Sequence, residues 1–242
     1  MSNSLKLAAE LQRLYLISPV PDALARHDVR LATPEGLTRG MMLAFPKLKG
    51  DADAGHWERL CMVANALQEQ LELPAPAVSI SGAGAFGLWL SLQAPTPVAQ
   101  AQAFMELVCA AYCPEMKPAA DAATAPVALP PCLRGETGKW AAFIHPGMGT
   151  AFAEEAGLDI APPEAGQIGF LERLESIGAE QFAQALERLR PAQPKALIPA
   201  SAAAPVSATP EGLLLKDATL EDIIQYLHSK NIEPTFRHLL PK

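Results

Sequence analysis

Residues 77–92 read AVSISGAGAFGLWLSL, and this stretch limits the architectures open to the chain more than any other. Val78 and Ile80 alternate with Ser79 and Ser81, the two-residue period in which successive side chains point to opposite faces of a strand. Phe86, Leu88, Leu90 and Leu92 alternate with Gly87, Trp89 and Ser91 in the same way. Between the runs lies Gly82-Ala83-Gly84-Ala85, and glycine supplies the positive φ that a tight reversal needs. The pattern predicts a β-hairpin with a loop of roughly three to five residues, buried on its Phe86/Leu88/Leu90 face.

The same residues spell Gly82-x-Gly84-x-x-Gly87. A dinucleotide site needs this motif between a strand and a helix, so that the helix N-terminus meets the pyrophosphate. Here Gly87 is followed by LWLSLQAPTP, a strand that ends in prolines, and the context excludes that site. A protein-kinase glycine-rich loop does lie in a hairpin, but the chain has no HRD or DFG run.

The flanks follow a repeated order. Leu7, Leu11, Leu14 and Tyr15 recur at helical spacing, with Ser4 as the expected cap and Pro19 and Pro21 as the stop. Residues 27–32 (HDVRLA) and 38–45 (TRGMMLAF) alternate as two strands about the turn Pro34-Glu35-Gly36, and a hairpin is expected. A helix is predicted over 54–71, with Trp57, Leu60, Cys61, Ala64, Leu67 and Leu71 on one stripe and Asp53 as cap. After the central hairpin, Thr96 is the expected cap of a further helix with Pro97 at its first position. The order α-β-β-α-β-β-α predicts an α+β fold, an antiparallel sheet with helices packed on one face.

Residues 114–137 read as irregular chain, 139–145 as a strand, and 165–177 and 179–190 as two short helices. With half its residues apolar, the segment 1–190 can close a sizeable core as one main domain. Residues 191–212 form a Pro/Ala-rich linker that cannot bury enough surface to order itself. Residues 213–242 predict a small βαβ-like unit around a helix opening at Thr219-Leu220-Glu221-Asp222. A unit of that size cannot hold an independent core, so it is expected to dock on the main domain or to join copies as a homo-oligomer.

Charge and cysteines narrow the function classes. The net charge of −7 is uneven: residues 51–190 hold seven basic against seventeen acidic side chains, while residues 1–50 hold seven against four. An acidic body argues against a broad nucleic-acid footprint, and the mild basic bias rests on Arg26, Arg30, Arg39, Lys47 and Lys49. No run of apolar residues is long enough for a transmembrane helix, so no membrane partner is expected. The amphipathic N-terminus does not read as a signal peptide, and Cys61, Cys109, Cys113 and Cys132 read as reduced, buried thiols of a cytoplasmic protein. Cys109 and Cys113, four apart on a helix, with Cys132 and a histidine are a weaker metal-ligand reading.

The run Ser81-Gly82-Ala83-Gly84-Ala85-Phe86-Gly87-Leu88-Trp89-Leu90, set after a strand, a helix and a strand, resembles the archaeo-eukaryotic primase–polymerase domains, including plasmid replication primases. The resemblance covers residues 27–112. It implies an RRM-like sheet, an acidic metal-binding pair closing the strand near Phe45, and a histidine where Gly87 stands. The strand reads MMLAF and holds no carboxylate, so the resemblance implies a degenerate, non-catalytic relative that needs no cofactor. The implied partners are single-stranded nucleic acid or a replication protein of a plasmid or mobile element. Ser81, Gly82, Gly84, Trp89 and Arg39 are the candidate nucleic-acid contacts, with Trp89 on the face opposite Phe86 as a base-stacking platform.

Two alternatives stay open. Asp51 and Asp53 form a DxD pair and His56 follows, so a Mg²⁺ or Mn²⁺ enzyme can be built on these three; cap and solvated loop are the plainer roles. The chain can instead be a protein-interaction module acting through its C-terminal unit. His145, beside Trp140 and Pro146-Gly147, has the chemistry of a general base but no nucleophile in a recognisable elbow.

Overall fold

A computed structural model describes residues 2–19, 28–52, 54–154 and 156–190. In chain order these form α1 (Asn3–Tyr15), β1 (Val29–Arg30), β2 (Leu37–Pro46), α2 (Gly55–Glu69), β3 (Ala77–Ile80), β4 (Ala85–Pro97) and α3 (Val98–Tyr112). Then follow β5 (Pro126–Val127), β6 (Cys132–Leu133), β7 (Trp140–Ile144), a 3₁₀ turn (Pro146–Phe152), α4 (Glu164–Leu171) and α5 (Ala179–Leu189). All of these belong to the first of two units into which the chain divides, Met1–Lys195 and Ala196–Lys242. The expected linker and C-terminal unit lie outside the described residues.

The hairpin at 77–92 is the centre of the sheet. β3 and β4 pair antiparallel with Ser79 opposite Gly87 and Ile80 opposite Phe86. The reversal takes positive φ at Gly82 and Gly84, and the Ser81 N–H closes it on the Ala85 carbonyl at 2.9 Å. β2 lies on the other side of β4, so the strand after α2 and the strand before it flank the second arm of the hairpin. β7 adds beside β3 and β6 beside β7, which gives the order β2-β4-β3-β7-β6 with every pair antiparallel.

Helices cover both faces of this sheet, which corrects the one-sided packing expected from the element order. On one face Met41, Leu43, Phe45, Ile80, Phe86 and Leu88 meet α2, α3 and α5 through Leu60, Leu67, Phe104 and Phe182. On the other, Ala77, Trp89 and Phe143 meet α1 and α4 through Leu11, Leu14, Tyr15 and Leu171. The physical cause lies in the strands themselves. The burial of β3 is continuous and so is that of β4 over 86–92, because Ala77, Ser79, Gly87 and Trp89 offer the second face a small or aromatic surface rather than a charged one.

Local details also differ from expectation. Ser2 rather than Ser4 caps α1, its hydroxyl accepting from the Leu5 N–H at 3.4 Å, while Ser4 donates to Glu164. α2 begins after Ala54 with no side-chain cap bond, and Asp53, the expected cap, lies outside the described residues. α3 begins at Val98 with Pro97 as its cap residue, because β4 runs on to Pro97 and Thr96 bonds the Ala94 carbonyl instead. The helix expected over 165–177 stops at Leu171, and Ile177 extends beside Leu92. β5 and β6 arise within the stretch expected to be irregular.

The expected hairpin of 27–32 with 38–45 is reduced to one bridge, Ala32 to Thr38. β1 pairs instead with β5, Val29 opposite Val127. On its other side β2 changes register against β4 between Thr38 and Gly40, where β4 carries the extra residues. Gly40 lets β2 pass close to the end of α1, since a Cβ there would stand 3.0 Å from the Tyr15 carbonyl. β2 is left as an outer strand of the main sheet from Gly40 to Pro46.

Candidate functional site

The end of the sheet where β2 closes and β4 opens gathers most of the residues singled out in the sequence. Ala44 stands opposite Gly87, Phe45 opposite Phe86 and Pro46 opposite Ala85. Strand alternation puts Met42, Ala44, Gly87 and Trp89 on one face and Leu43, Phe45, Phe86 and Leu88 on the other. The face that carries Gly87 thus presents alanine at 44 and proline at 46, with no carboxylate on β2.

Gly87 has no room for a side chain. A Cβ there would come to 2.7 Å from the Ser79 hydroxyl and 2.9 Å from the Trp89 indole nitrogen. That space is used by a hydrogen bond in which the Trp89 indole N–H donates to Ser79 Oγ at 2.8 Å. Trp89 itself is 2% exposed, packed between Tyr15 at 5.3 Å and Phe143 at 5.8 Å between ring centroids. The expectation of an exposed stacking platform is therefore corrected: α1 lies over this indole. Burial raises the Tyr15 phenol far above its ordinary range, consistent with a ring sealed in the same cluster.

The Gly-rich turn is tied down in its own way. Ser81 Oγ accepts from the Ala83 and Ala85 N–H groups at 3.1 and 3.0 Å. Gly82 is wedged against Arg134 and the Lys139 carbonyl, where a Cβ would meet them at 2.9 and 3.0 Å. Gly84 faces open space. The neighbouring cations are matched by carboxylates, Arg134 with Asp28 at 2.5 Å and Lys139 with Asp159 at 2.6 Å. Arg39 lies farther along β2 and donates to the Gln93 carbonyl at 2.7 Å, so it does not join this end of the sheet.

The DxD segment forms a second corner. Arg59, one face of α2 inward from its start, donates through Nη1 and Nη2 to both oxygens of Asp51 at 2.7 and 2.5 Å, and Leu48 N–H adds a third bond at 2.7 Å. These bonds hold the Asp51 carboxyl well below the usual carboxylate range. Arg59 also reaches the Pro46 carbonyl at 3.3 Å, which anchors the end of β2 to the first turns of α2. His56 is 1% exposed with its ring 4.9 Å from Phe86, and its Nδ1 is buried without a partner. Burial first, and then the Lys47 charge, lower its pKa and keep it neutral. Of the proposed metal set, Asp51 is committed to Arg59, His56 packs on an aromatic ring, and Asp53 lies outside the described residues. No group of three metal-ligating side chains converges among the described residues.

A cavity of about 380 Å³ opens beside the outer edge of β2. Met42, Ala44 and Pro46 line it on one side and Met116, Ala122 and Val127 on the other, together with Cys109 and two charged residues, Glu115 and Lys117. The volume falls in the range of ligand pockets and the lining is mainly apolar. The neighbouring Cys109 thiol, followed by burial, holds Cys113 protonated far above the usual thiol range. Cys132 is apart from them, its thiol pushed up to about 11 by burial. His145 caps the 3₁₀ turn, its Nδ1 accepting from the Gly147 N–H at 3.1 Å.

Sequence reasoning missed Arg59, Glu115 and this cavity. The signal for Arg59 was an arginine inside the apolar stripe of α2, between Trp57 and Leu60. The cavity depends on β1 pairing with a strand almost a hundred residues away, for which the local pattern holds no sign. Among the described residues no helix is long and apolar enough to cross a membrane. Compared with known proteins, the chain matches no protein-family model and no curated sequence.

Proposed function

We propose that the chain is a primase-like protein without nucleotidyl-transfer chemistry, serving as a binding component of a nucleic-acid or replication complex of the kind carried by mobile elements. One observation carries this reading: β2 and β4 meet in register at Ala44–Gly87 and Phe45–Phe86. In the resembled domains this meeting point holds the acidic pair and the histidine. Two-metal phosphoryl or nucleotidyl transfer requires carboxylates fixed on one face of the site. Alanine, proline and a glycine without side-chain space support loss of that chemistry.

Association with a single strand is supported by what shares this end of the sheet. The Gly-rich turn and the segment 47–50, with Lys47 and Lys49 exposed, both follow directly from the Pro46–Ala85 pair. Two lysines beside an open turn suit phosphate contact at low salt.

Titration of a labelled oligothymidylate at low ionic strength tests the reading. Saturable binding that weakens as salt rises, and weakens further in the Lys47→Glu/Lys49→Glu variant, is expected. No binding at low salt overturns the nucleic-acid half. Primer extension with Mg²⁺ or Mn²⁺ is expected to give no product; a product that the Asp51→Asn variant loses would overturn the other half.

A further inference from the structure

β4 shows which backbone groups of β2 face the cavity. The Ser81 N–H bonds the Ala85 carbonyl, so Ala85, Gly87 and Trp89 turn their backbone groups towards β3. Phe86, Leu88 and Leu90 then turn theirs towards β2, where they face Phe45, Leu43 and Met41. Met42, Ala44 and Pro46 are left pointing away from the sheet. The Pro46 carbonyl confirms the side, since it accepts from Arg59 outside the ladder. The N–H and C=O groups of Met42 and Ala44 open onto the cavity and bond nothing else among the described residues.

β1 would have covered these groups had the β1–β2 hairpin continued past Ala32–Thr38. It leaves to pair with β5, and the space of the missing strand is the cavity, with Val127 of β5 on its far wall. Charge adds direction. Glu115 lines the cavity, as does Lys117; the Glu115 side chain is 47% exposed and pairs with Arg59 Nε only at 4.0 Å, while both terminal nitrogens of Arg59 are held by Asp51.

We propose that this groove docks an extended segment of a partner protein, which adds to the edge of β2 as a strand and sets a basic side chain beside Glu115. Strand addition supplies what the groove lacks, donors and acceptors for Met42 and Ala44 and alternate apolar side chains for the wall of Met116 and Val127, and its basic side chain meets the half-exposed carboxylate. From Met42 to Pro46 the edge matches a segment of about five residues at ~3.3 Å each. The proposal stands apart from the nucleic-acid reading, because it uses the outer edge of β2 and neither the Gly-rich turn nor Lys47 and Lys49.

The probe is the capped, fluorescein-labelled peptide acetyl-Lys-Val-Thr-Val-Thr-Val-amide, followed by anisotropy against the full chain. Saturable binding is expected. Methylation of alternate peptide nitrogens should abolish it in one of the two alternations and spare it in the other, a readout that needs no change to the protein. Ala44→Pro removes an N–H that faces the groove and is tolerated on an outer strand, so it should keep the melting temperature and weaken binding about tenfold or more. Ala122→Trp should fill the groove with the same loss, and Glu115→Gln should weaken the lysine peptide but leave a peptide with Thr in place of Lys unchanged. The proposal is overturned by absence of saturable binding, by equal affinity of both methylated peptides, or by wild-type affinity in Ala122→Trp. It is overturned equally if oligothymidylate displaces the peptide and itself loses affinity in Ala122→Trp, which would make the groove a nucleic-acid site.

Discussion

At the scale of single residues, Gly87 shows how a position can close to one chemistry. Its missing side chain is occupied by the bond between Trp89 and Ser79, so a larger residue must break that bond or displace the indole. Gly87→Ala should therefore destabilise the fold by about 1–3 kcal/mol, the usual cost of overfilling a packed site, as measured by urea unfolding. Gly87→His should cost more and restore no activity; a stable Gly87→His variant would show that the indole can move aside. Alternation in the sequence did set Gly87 and Trp89 on one face, but it held no sign that a helix from the N-terminus would cover that face. The second corner is a matter of pH. The folded chain holds the His56 and Asp51 pKa values below their unfolded ones, so the unfolded state binds protons first as pH falls. The His56 contribution is full above the ordinary imidazole value near ~6.5 and is lost below it, and the Asp51 contribution is full above ~4 and is lost below that. Melting temperature should fall in two stages on acidification. His56→Gln should flatten the first and Asp51→Asn the second; a wild-type curve in either variant rejects the assignment.

At the scale of elements, the sequence was legible where neighbours in the chain are neighbours in space. The central hairpin, the stripes of α1, α2 and α3, and the strand before the 3₁₀ turn all follow from local period and turn residues. What could not be read depends on partners far apart in sequence: β7 beside β3, β5 beside β1, and α1 across the second face of the sheet. α1 is the sharpest case, because its own pattern says only that one side is buried. Leu11 and Leu14 are both fully buried against that face, whereas Leu5 is 60% exposed. Leu11→Ala should cost about 2–5 kcal/mol, and Leu5→Ala should stay within about 0.5 kcal/mol. Equal effects of the two in chemical unfolding would mean that α1 does not seal the sheet. α4 contributes to the same layer by a different device: Gln167 both accepts from the Phe143 N–H and donates to its carbonyl, each at 2.9 Å, so it satisfies β7 where β6 has ended.

At the scale of the molecule, two hydrophobic clusters share one sheet as their common wall. One draws its buried residues from Met41 to Leu189 and the other from Leu7 to Leu171, so each cluster needs segments far apart in the described chain. Such interleaving ties the halves into a single cooperative unit, because loss of either layer exposes one face of the same strands. Both clusters are built from side chains of the first unit, Met1–Lys195, between Leu7 and Leu189. A chain shortened to residues 1–195 should therefore fold, melt in one transition by both circular dichroism and tryptophan fluorescence, and keep its peptide groove. Its Trp89 signal should stay in the blue-shifted range of a buried indole, since Tyr15 and Phe143 that enclose the ring are retained. Separate transitions by the two probes would divide the sheet's layers into independent units. A shortened chain that is expanded and binds a hydrophobic dye would show instead that the two clusters do not suffice on their own. The sequence changes character a few residues before that boundary for a physical reason: the apolar stripe of α5 ends at Leu189, and the proline and alanine run begins at Pro191.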